Sequence, residues 1–346
     1  MIEQDSATDP GDSFYSWGSG EATATLDLEV GVPVEIEVEY RRGAAGAMAG
    51  VELGLASPPD DASMNRAVDA AREADVAVVV VGLDGSWETE GYDRRSLSLP
   101  GRQDELVEAV AAANPRTIVV VNAGSPVAMP WLDMTPAVLQ SWYPGQEFGR
   151  ALAALLFGDE NPSGKLPTTF PRRIEDAPAF GNYPGEDDHV TYAEGLHIGH
   201  RHYDRRGIEP LFCFGHGLSY TTFSYGEVRT SAEAMEGDGE LTVEVDVTNT
   251  GDRTGAEVVQ LYHAHPEAIV DRPLRTLRGF TKLVLAPGET ATAGFAVGFR
   301  DLARWNPEAH AWLADPGPVE IHVGASSRDL RGTAKVQVTG PAERGP

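Results

Sequence analysis

Apolar and polar positions follow three different rules along the chain. From about Ala22 to Ala56 the period is two: Thr23, Thr25, Asp27 and Glu29 interleave with Ala24, Leu26, Leu28 and Val30. Val34, Ile36, Val38 and Tyr40 repeat the alternation after a Gly31-Val32-Pro33 turn, and Val51 to Leu55 offers a third strand. Three strands with no helix make only part of a sandwich, and an unpaired sheet of that size leaves edges open to another chain or to further sequence.

From Pro58 helices and buried strands take turns. A helix beginning at Ala62 sets Ala67, Val68, Ala71 and Ala74 on one side, and Val76 to Val81 follows as a wholly apolar, mostly β-branched run. Parallel strands need such runs when helices cover both faces. A helix from about Gly101 to Ala113 with a strand at Thr117 to Val121, then a strand at Ala137 to Trp142 with a helix at Gln146 to Phe157, continue the rule. After about Leu211 helices are no longer expected; period-two sets recur at 241–247, 258–262, 291–297 and 319–323, separated by turns such as Asn249-Thr250-Gly251-Asp252. The expected fold is an α/β open sheet followed by an antiparallel β-sandwich, preceded by a short partial β-sandwich. The expected boundaries are 1–57 for the partial sandwich, 58–210 for the α/β domain, 211–235 for a linker and 236–340 for the second sandwich.

The 346 residues suit two or three domains, and a net charge of −26 from 27 basic and 53 acidic residues disfavours nucleic-acid and anionic-membrane partners. Lys stands only at Lys165, Lys282 and Lys335, every other basic residue being Arg, a surface resembling that of proteins from salt-accumulating halophiles. The single Cys213, read as a small packed hydrophobe, excludes an internal disulfide framework and a multi-cysteine metal site. No apolar run reaches the ~18 residues of a membrane span. Glu3, Asp5, Asp9 and Asp12 stand where a secretory signal would be basic, which favours a cytoplasmic location.

Ligands of open α/β sheets bind beyond the carboxyl ends of the strands, which directs attention to Asp84-Gly85-Ser86-Trp87-Glu88-Thr89-Glu90-Gly91-Tyr92-Asp93-Arg94. Two carboxylates, Glu88 and Glu90, are expected on one side of an extended loop, beside a Trp suited to stacking on a sugar ring. These residues by themselves leave Glu88 and Glu90 both open as the chemical group, and they also fit a solvated acidic loop.

The segment 87–94, with Leu97, Leu99-Pro100 and Gln103 behind it, resembles glycoside hydrolase family 3. So does Trp142-Tyr143-Pro144-Gly145-Gln146-Glu147-Phe148-Gly149, which runs on to Gly158-Asp159-Glu160-Asn161-Pro162-Ser163-Gly164-Lys165-Leu166-Pro167. Tyr192 to Leu196, Gly199 to Asp204 and Phe214 to Phe223 are similar to the family's approach to its fibronectin type III-like domain. Pro33 to Ile36 with Val38 to Arg41 resembles, more weakly, the tail of the protective-antigen-type insert of some β-glucosidases.

The resemblance implies a retaining β-glycosidase acting on β-glucosides with two carboxylates, one the nucleophile and one the acid/base. It makes Glu90, directly before Gly91, the general acid/base. Glu88 then orients it or binds sugar hydroxyls, and Trp87 or Tyr92 provides an apolar wall. The family's nucleophile is an Asp of an N-terminal barrel, usually followed by Trp; the sequence has no Ser-Asp-Trp. A barrel-domain chain supplying that Asp is the implied partner, and a non-catalytic carbohydrate-binding module or remnant is the alternative.

No cofactor or metal is expected. Gly158 to Lys165 has one residue too many between its glycines for a phosphate loop, and Leu166 stands where Ser or Thr is needed. His197, His200 and His202, with His189 nearby, lack a carboxylate at helical spacing. His263 and His265 share a strand face and are expected to be solvent-exposed.

Overall fold

The computed structural model describes residues 24–29, 31–39, 53–54, 61–90 and 93–345. They fall into two compact units: residues up to Gly124 with Pro130–Trp142, and Ser125–Met129 with Tyr143 onward.

The first unit contains helix α1 (Asp61–Glu73), strand β1 (Ala77–Gly82), helix α2 (Gln103–Ala113), strand β2 (Thr117–Asn122) and strand β3 (Ala137–Gln140). The strands form one parallel sheet in the order β1-β2-β3 and in register, Gly82 opposite Asn122 and Val121 opposite Gln140. Val79, Val81, Val119 and Val121 make the buried face, with Val107 and Val110 of α2 also buried. The side chain of Asn114, just past α2, donates to the carbonyls of Ala71 and Ala74 at 2.9 Å each, closing the exposed end of α1. Trp131 is fully buried and its indole N–H donates to Asp104 of α2 at 2.8 Å.

The expectation that helices cover both faces of β1 does not hold among the described residues. Val78 and Val80 are 46% and 54% exposed, because α2 crosses from β1 to β2 on one side and α1 packs on α2. The N-terminal strands are also corrected: residues 24–29 and 31–39 belong to no sheet, and Leu26, Leu28, Val34, Ile36 and Val38 are exposed. Alternation specifies which face would be buried, but a ladder forms only where a partner strand meets it. The third run, Val51 to Leu55, lies outside the described residues apart from 53–54.

The second unit opens with helix α3 (Phe148–Phe157), ended by Gly158 in the left-handed conformation, and helix α4 (His200–Arg206), which the apolar pattern did not predict. The residues expected to be a linker instead supply strands β4 (Phe223–Tyr225), β5 (Arg229–Thr230) and β6 (Ala234–Met235) to the sandwich. One sheet joins β4 and β5 to β7 (Glu240–Asn249), with β10 (Thr290–Gly298) on the other side. The facing sheet runs β6-β14-β13-β8-β9, with β8 Gly255–Ala264, β9 Thr276–Leu285, β13 Gly317–Gly324 and β14 Leu330–Val338. Val243, Val245, Val247, Val259, Leu261, Ile321 and Val323 fill the space between the sheets. A four-residue helix, α5 (Phe299–Leu302), interrupts the all-β expectation and precedes a small sheet of β11 (Arg304–Asn306), β12 (Ala311–Ala314) and β15 (Ala342–Arg344).

The glycine-rich stretch at 158–167 is a clamp on this sandwich. Arg253 donates to the Gly158 carbonyl at 2.7 Å, Asn161 donates to Thr254 at 3.0 Å, and the Asn161 oxygen accepts from Ser219 and the Tyr220 N–H. Lys165 donates to the Gly217 carbonyl at 2.8 Å and lies 3.5 Å from Glu257, which is 4% exposed and accepts from the Tyr225 hydroxyl at 2.9 Å. Burial and the neighbouring carboxylate push the Tyr225 phenol far above its ordinary range, so it stays a donor.

His263 and His265 are not solvent-exposed. His263 is 5% exposed, accepts from Arg278 Nε at 3.0 Å and packs edge-on to His265 at 5.0 Å between ring centroids. The apolar packing of β8 takes both faces of the strand inward, so sharing a face says nothing of water. Burial and the nearby Arg272 and Arg278, only partly offset by Asp315, bring His265 down to about 4, and burial with Arg278 pushes His263 well below its ordinary value. Among the described residues no group of three or more His, Cys, Asp or Glu is placed to hold a metal, and no helix is long and apolar enough to cross a membrane.

Two outcomes follow. Lys165→Met leaves Glu257 buried without its cation and is expected to destabilise the protein by ~3 kcal/mol in urea titration, most of it recovered in Lys165→Met/Glu257→Met. The unfolded chain binds protons that the buried histidines refuse, so stability should fall as pH drops from about 6.5 toward 4. The slope contribution is up to ~1.4 kcal/mol per pH unit for His265. His265→Gln should flatten the fall of Tm across that window.

Candidate active site

Three loops follow the carboxyl ends of β1, β2 and β3, and the first is the acidic one. Gln103 closes the end of β1, accepting from the Gly82 N–H at 2.7 Å and donating to its carbonyl at 3.0 Å. Beyond it the chain does not stay extended. The N–H groups of Trp87 and Glu88 both donate to the Asp84 carbonyl, at 3.0 and 2.9 Å, while the Asp84 carboxylate takes the Ser86 hydroxyl and N–H. Those two bonds hold the Asp84 carboxyl below its usual range.

The turn separates the two glutamates that an extended loop would have placed together. Glu88 is drawn in, its side chain 14% exposed: one oxygen accepts the Gly124 N–H at 2.7 Å, and the other lies 3.4 Å from the guanidinium of Arg94, itself 11% exposed. Glu90 is exposed, and so is Trp87 at 42%. Tyr92 and Gly91 lie outside the described residues. The loop thus has one carboxylate engaged as an anchor and a second facing outward two residues later.

The other two loops are tied to the same end of the sheet. Gln140 donates to the Ala123 carbonyl at 2.8 Å, and Ser141 gives both its N–H and its hydroxyl to Val121 at 2.9 Å. Trp142 follows with φ of 56°, a left-handed conformation that is uncommon for a bulky side chain and is held only where surrounding structure over-determines it. Gly124 and the strained Trp142 were not singled out as site residues from the sequence. Gly124 acts through its backbone, which no residue type announces, and a positive φ at Trp has no pattern signal.

The profile of the glycosyl hydrolase family 3 C-terminal domain matches residues 6–220, more than half of the chain. The chain belongs to glycosyl hydrolase family 3. A fibronectin type III-like domain profile matches residues 257–327, within the sandwich. A β-glucosidase of Rhizobium radiobacter is 50% identical over 292 residues, which are 83% of this chain and 36% of that one. Thermostable β-glucosidase B of Acetivibrio thermocellus is 45% identical over 271 residues, 78% of this chain and 36% of the relative. The crystal structure of a Kluyveromyces marxianus β-glucosidase in complex with glucose superposes with a TM-score of 0.80 at 38% identity, covering 84% of this chain and 35% of that one. The family 3 chain described here thus spans about a third of the length of the relatives it matches.

Glu88→Ala removes the acceptor of the Gly124 N–H and the partner of Arg94. Amide exchange across 84–94 is expected to speed up at least tenfold, with a global cost of ~1–3 kcal/mol. Glu88→Gln, which keeps an acceptor for Gly124, should fall between wild type and Ala.

Proposed function

We propose that this family 3 chain carries the acid/base half of a retaining β-glucosidase site, with Glu90 as the proton donor and a barrel-domain polypeptide supplying the nucleophile. The observation that carries the reading is the placing of the 84–94 loop: Glu90 is exposed at the carboxyl end of the parallel sheet, and Glu88 anchors the loop on the Gly124 N–H beside Arg94. The chain's similarity to β-glucosidases supports the substrate class.

In the first step Glu90 gives its proton to the glycosidic oxygen as the partner's carboxylate attacks the anomeric carbon. In the second Glu90 takes a proton from water as the glycosyl-enzyme bond breaks. A retaining site asks for the two carboxyl groups about 5–5.5 Å apart. A general acid also needs to hold its proton near neutral pH, which burial supplies. The exposed Glu90 would be enclosed when a second wall closes over it, with Trp87 and Tyr92 as the apolar side of the pocket. Glu88 is assigned the orienting role. Residues 1–57 are read as the tail of a protective-antigen-type insert; the family profile's reach to residue 6 supports placing them within the α/β domain.

The test combines the full chain with the part of the Rhizobium radiobacter β-glucosidase that it does not match. The chain alone should hydrolyse an aryl β-glucoside no faster than buffer, and the combination should turn it over. Glu90→Gln should then lower kcat by about 10²–10⁴ on cellobiose, whose leaving group needs a proton, and far less on a dinitrophenyl glucoside. Turnover by the chain alone would sink the two-part site, and an unaffected Glu90→Gln combination would move the acid/base to Glu88. Glucose binding by the chain with no turnover in any combination would favour a carbohydrate-binding module.

A further inference from the structure

The histidine-rich entry to α4 takes no part in the acidic loop. Burial, with the nearby Arg201 and Arg275 and only partly offset by Asp204, holds the His200 imidazole below its ordinary value, so the ring is neutral. It donates to the Arg275 carbonyl through Nδ1, which fixes the tautomer and leaves Nε2 as a lone-pair acceptor. Phe214 stacks on the ring at 5.0 Å between centroids, and Tyr262 meets it edge-on at 6.2 Å. The orientation is thus set from two sides. Nε2 is buried and has no partner in the protein.

A second polar atom nearby is in the same condition. Thr169 is 6% exposed, and its hydroxyl oxygen has no partner either. The backbone beside it is fixed, because the Phe170 N–H donates to the Phe212 carbonyl at 2.8 Å and the Phe170 carbonyl accepts from Leu211 at 2.8 Å. Thr169 and His200 line one cavity of about 240 Å³, with Pro167, Ile198 and Phe214 as apolar walls and Arg201 among its lining. Ile198 is 59% exposed, so that wall borders solvent.

Buried polar atoms without partners are costly, and two of them on one cavity call for a ligand that completes both. The required chemistry is narrow. Nε2 needs a donor, whereas an ionised carboxylate brings only acceptors, and a cation would face Arg201. The Thr169 hydroxyl serves as donor or acceptor. The volume is severalfold the ~30 Å³ share of one water and lies below the ~300–1,000 Å³ of pockets for drug-sized ligands. A neutral molecule of one ring, with hydroxyls for the two polar atoms and C–H faces for the apolar walls, meets each condition.

We propose that this cavity binds one neutral monosaccharide, with a sugar hydroxyl donating to His200 Nε2 and another bonded to Thr169 Oγ1. The choice of glucose as the sugar to test rests on the β-glucosidase reading above.

Glucose titrated into the full chain by calorimetry should bind with a Kd on the order of 1 mM, and acetate should not bind. Thr169→Val replaces an unpartnered hydroxyl by a methyl of the same shape. Its Tm without sugar should therefore stay or rise, while the Kd for glucose rises about fivefold. His200→Phe keeps the stack on Phe214 and should raise that Kd about tenfold. In hydrogen exchange, glucose should slow the amides of 198–201 and leave those of 84–90 unchanged. Binding that ignores both variants and protects 84–90 instead puts the sugar on the acidic loop, which overturns the inference while the two-part function stands. No saturation up to ~100 mM glucose overturns it as well. Failure of the turnover experiment above, with both variants still weakening glucose, removes the two-part reading and leaves the cavity as a sugar site.

Discussion

In-register parallel pairing is the constraint on which the candidate site depends. Because Gly82 stands opposite Asn122 and Val121 opposite Gln140, the three strands end at one level and hand their chains to loops that begin side by side. The Gly124 N–H is consequently within reach of Glu88, and the Ala123 carbonyl within reach of Gln140. A slip of one residue in β1 would turn its side chains to the other face and carry the loop anchor away with them.

The anchor itself is a trade between the two glutamates. A carboxylate accepting a backbone N–H and facing a guanidinium is held in place by both. Glu88 is in that position, and the turn begun at the Asp84 carbonyl is what puts it there. Glu90, two residues on, is left outside the turn. The chemistry proposed for it depends on what comes to lie over the loop.

The second unit is held together by different means. Its signature-like stretch from Gly158 to Leu166 touches the sandwich through carbonyls, an Asn and one half-buried cation. Removing the Lys165 cation would leave Glu257 in a medium that tolerates unpaired charge poorly. A glycine-rich run with a lysine looks like a ligand cradle in isolation. Here it is a structural clasp, and its Gly158 serves a helix end.

Much of the fold was legible in the sequence, for a local reason: period and apolar continuity report how many faces of an element will be buried. The Val76 to Val81 run became β1, the alternation at 241–247 became β7, and the helix expected near Ala62 became α1. The loop bearing Trp87, Glu88 and Glu90 does follow the carboxyl end of β1, as the run of valines before it implied. Whether a face meets a partner was not legible, since that is a property of the assembled chain: among the described residues 24–29 and 31–39 found no ladder, the supposed linker found three, and His263 and His265 went inward. Nor could residue type separate Glu88 from Glu90, two like carboxylates on one loop. Only a turn of backbone, made by hydrogen bonds to the carbonyl of Asp84 and closed on the N–H of Gly124, draws Glu88 inward while Glu90 stays exposed.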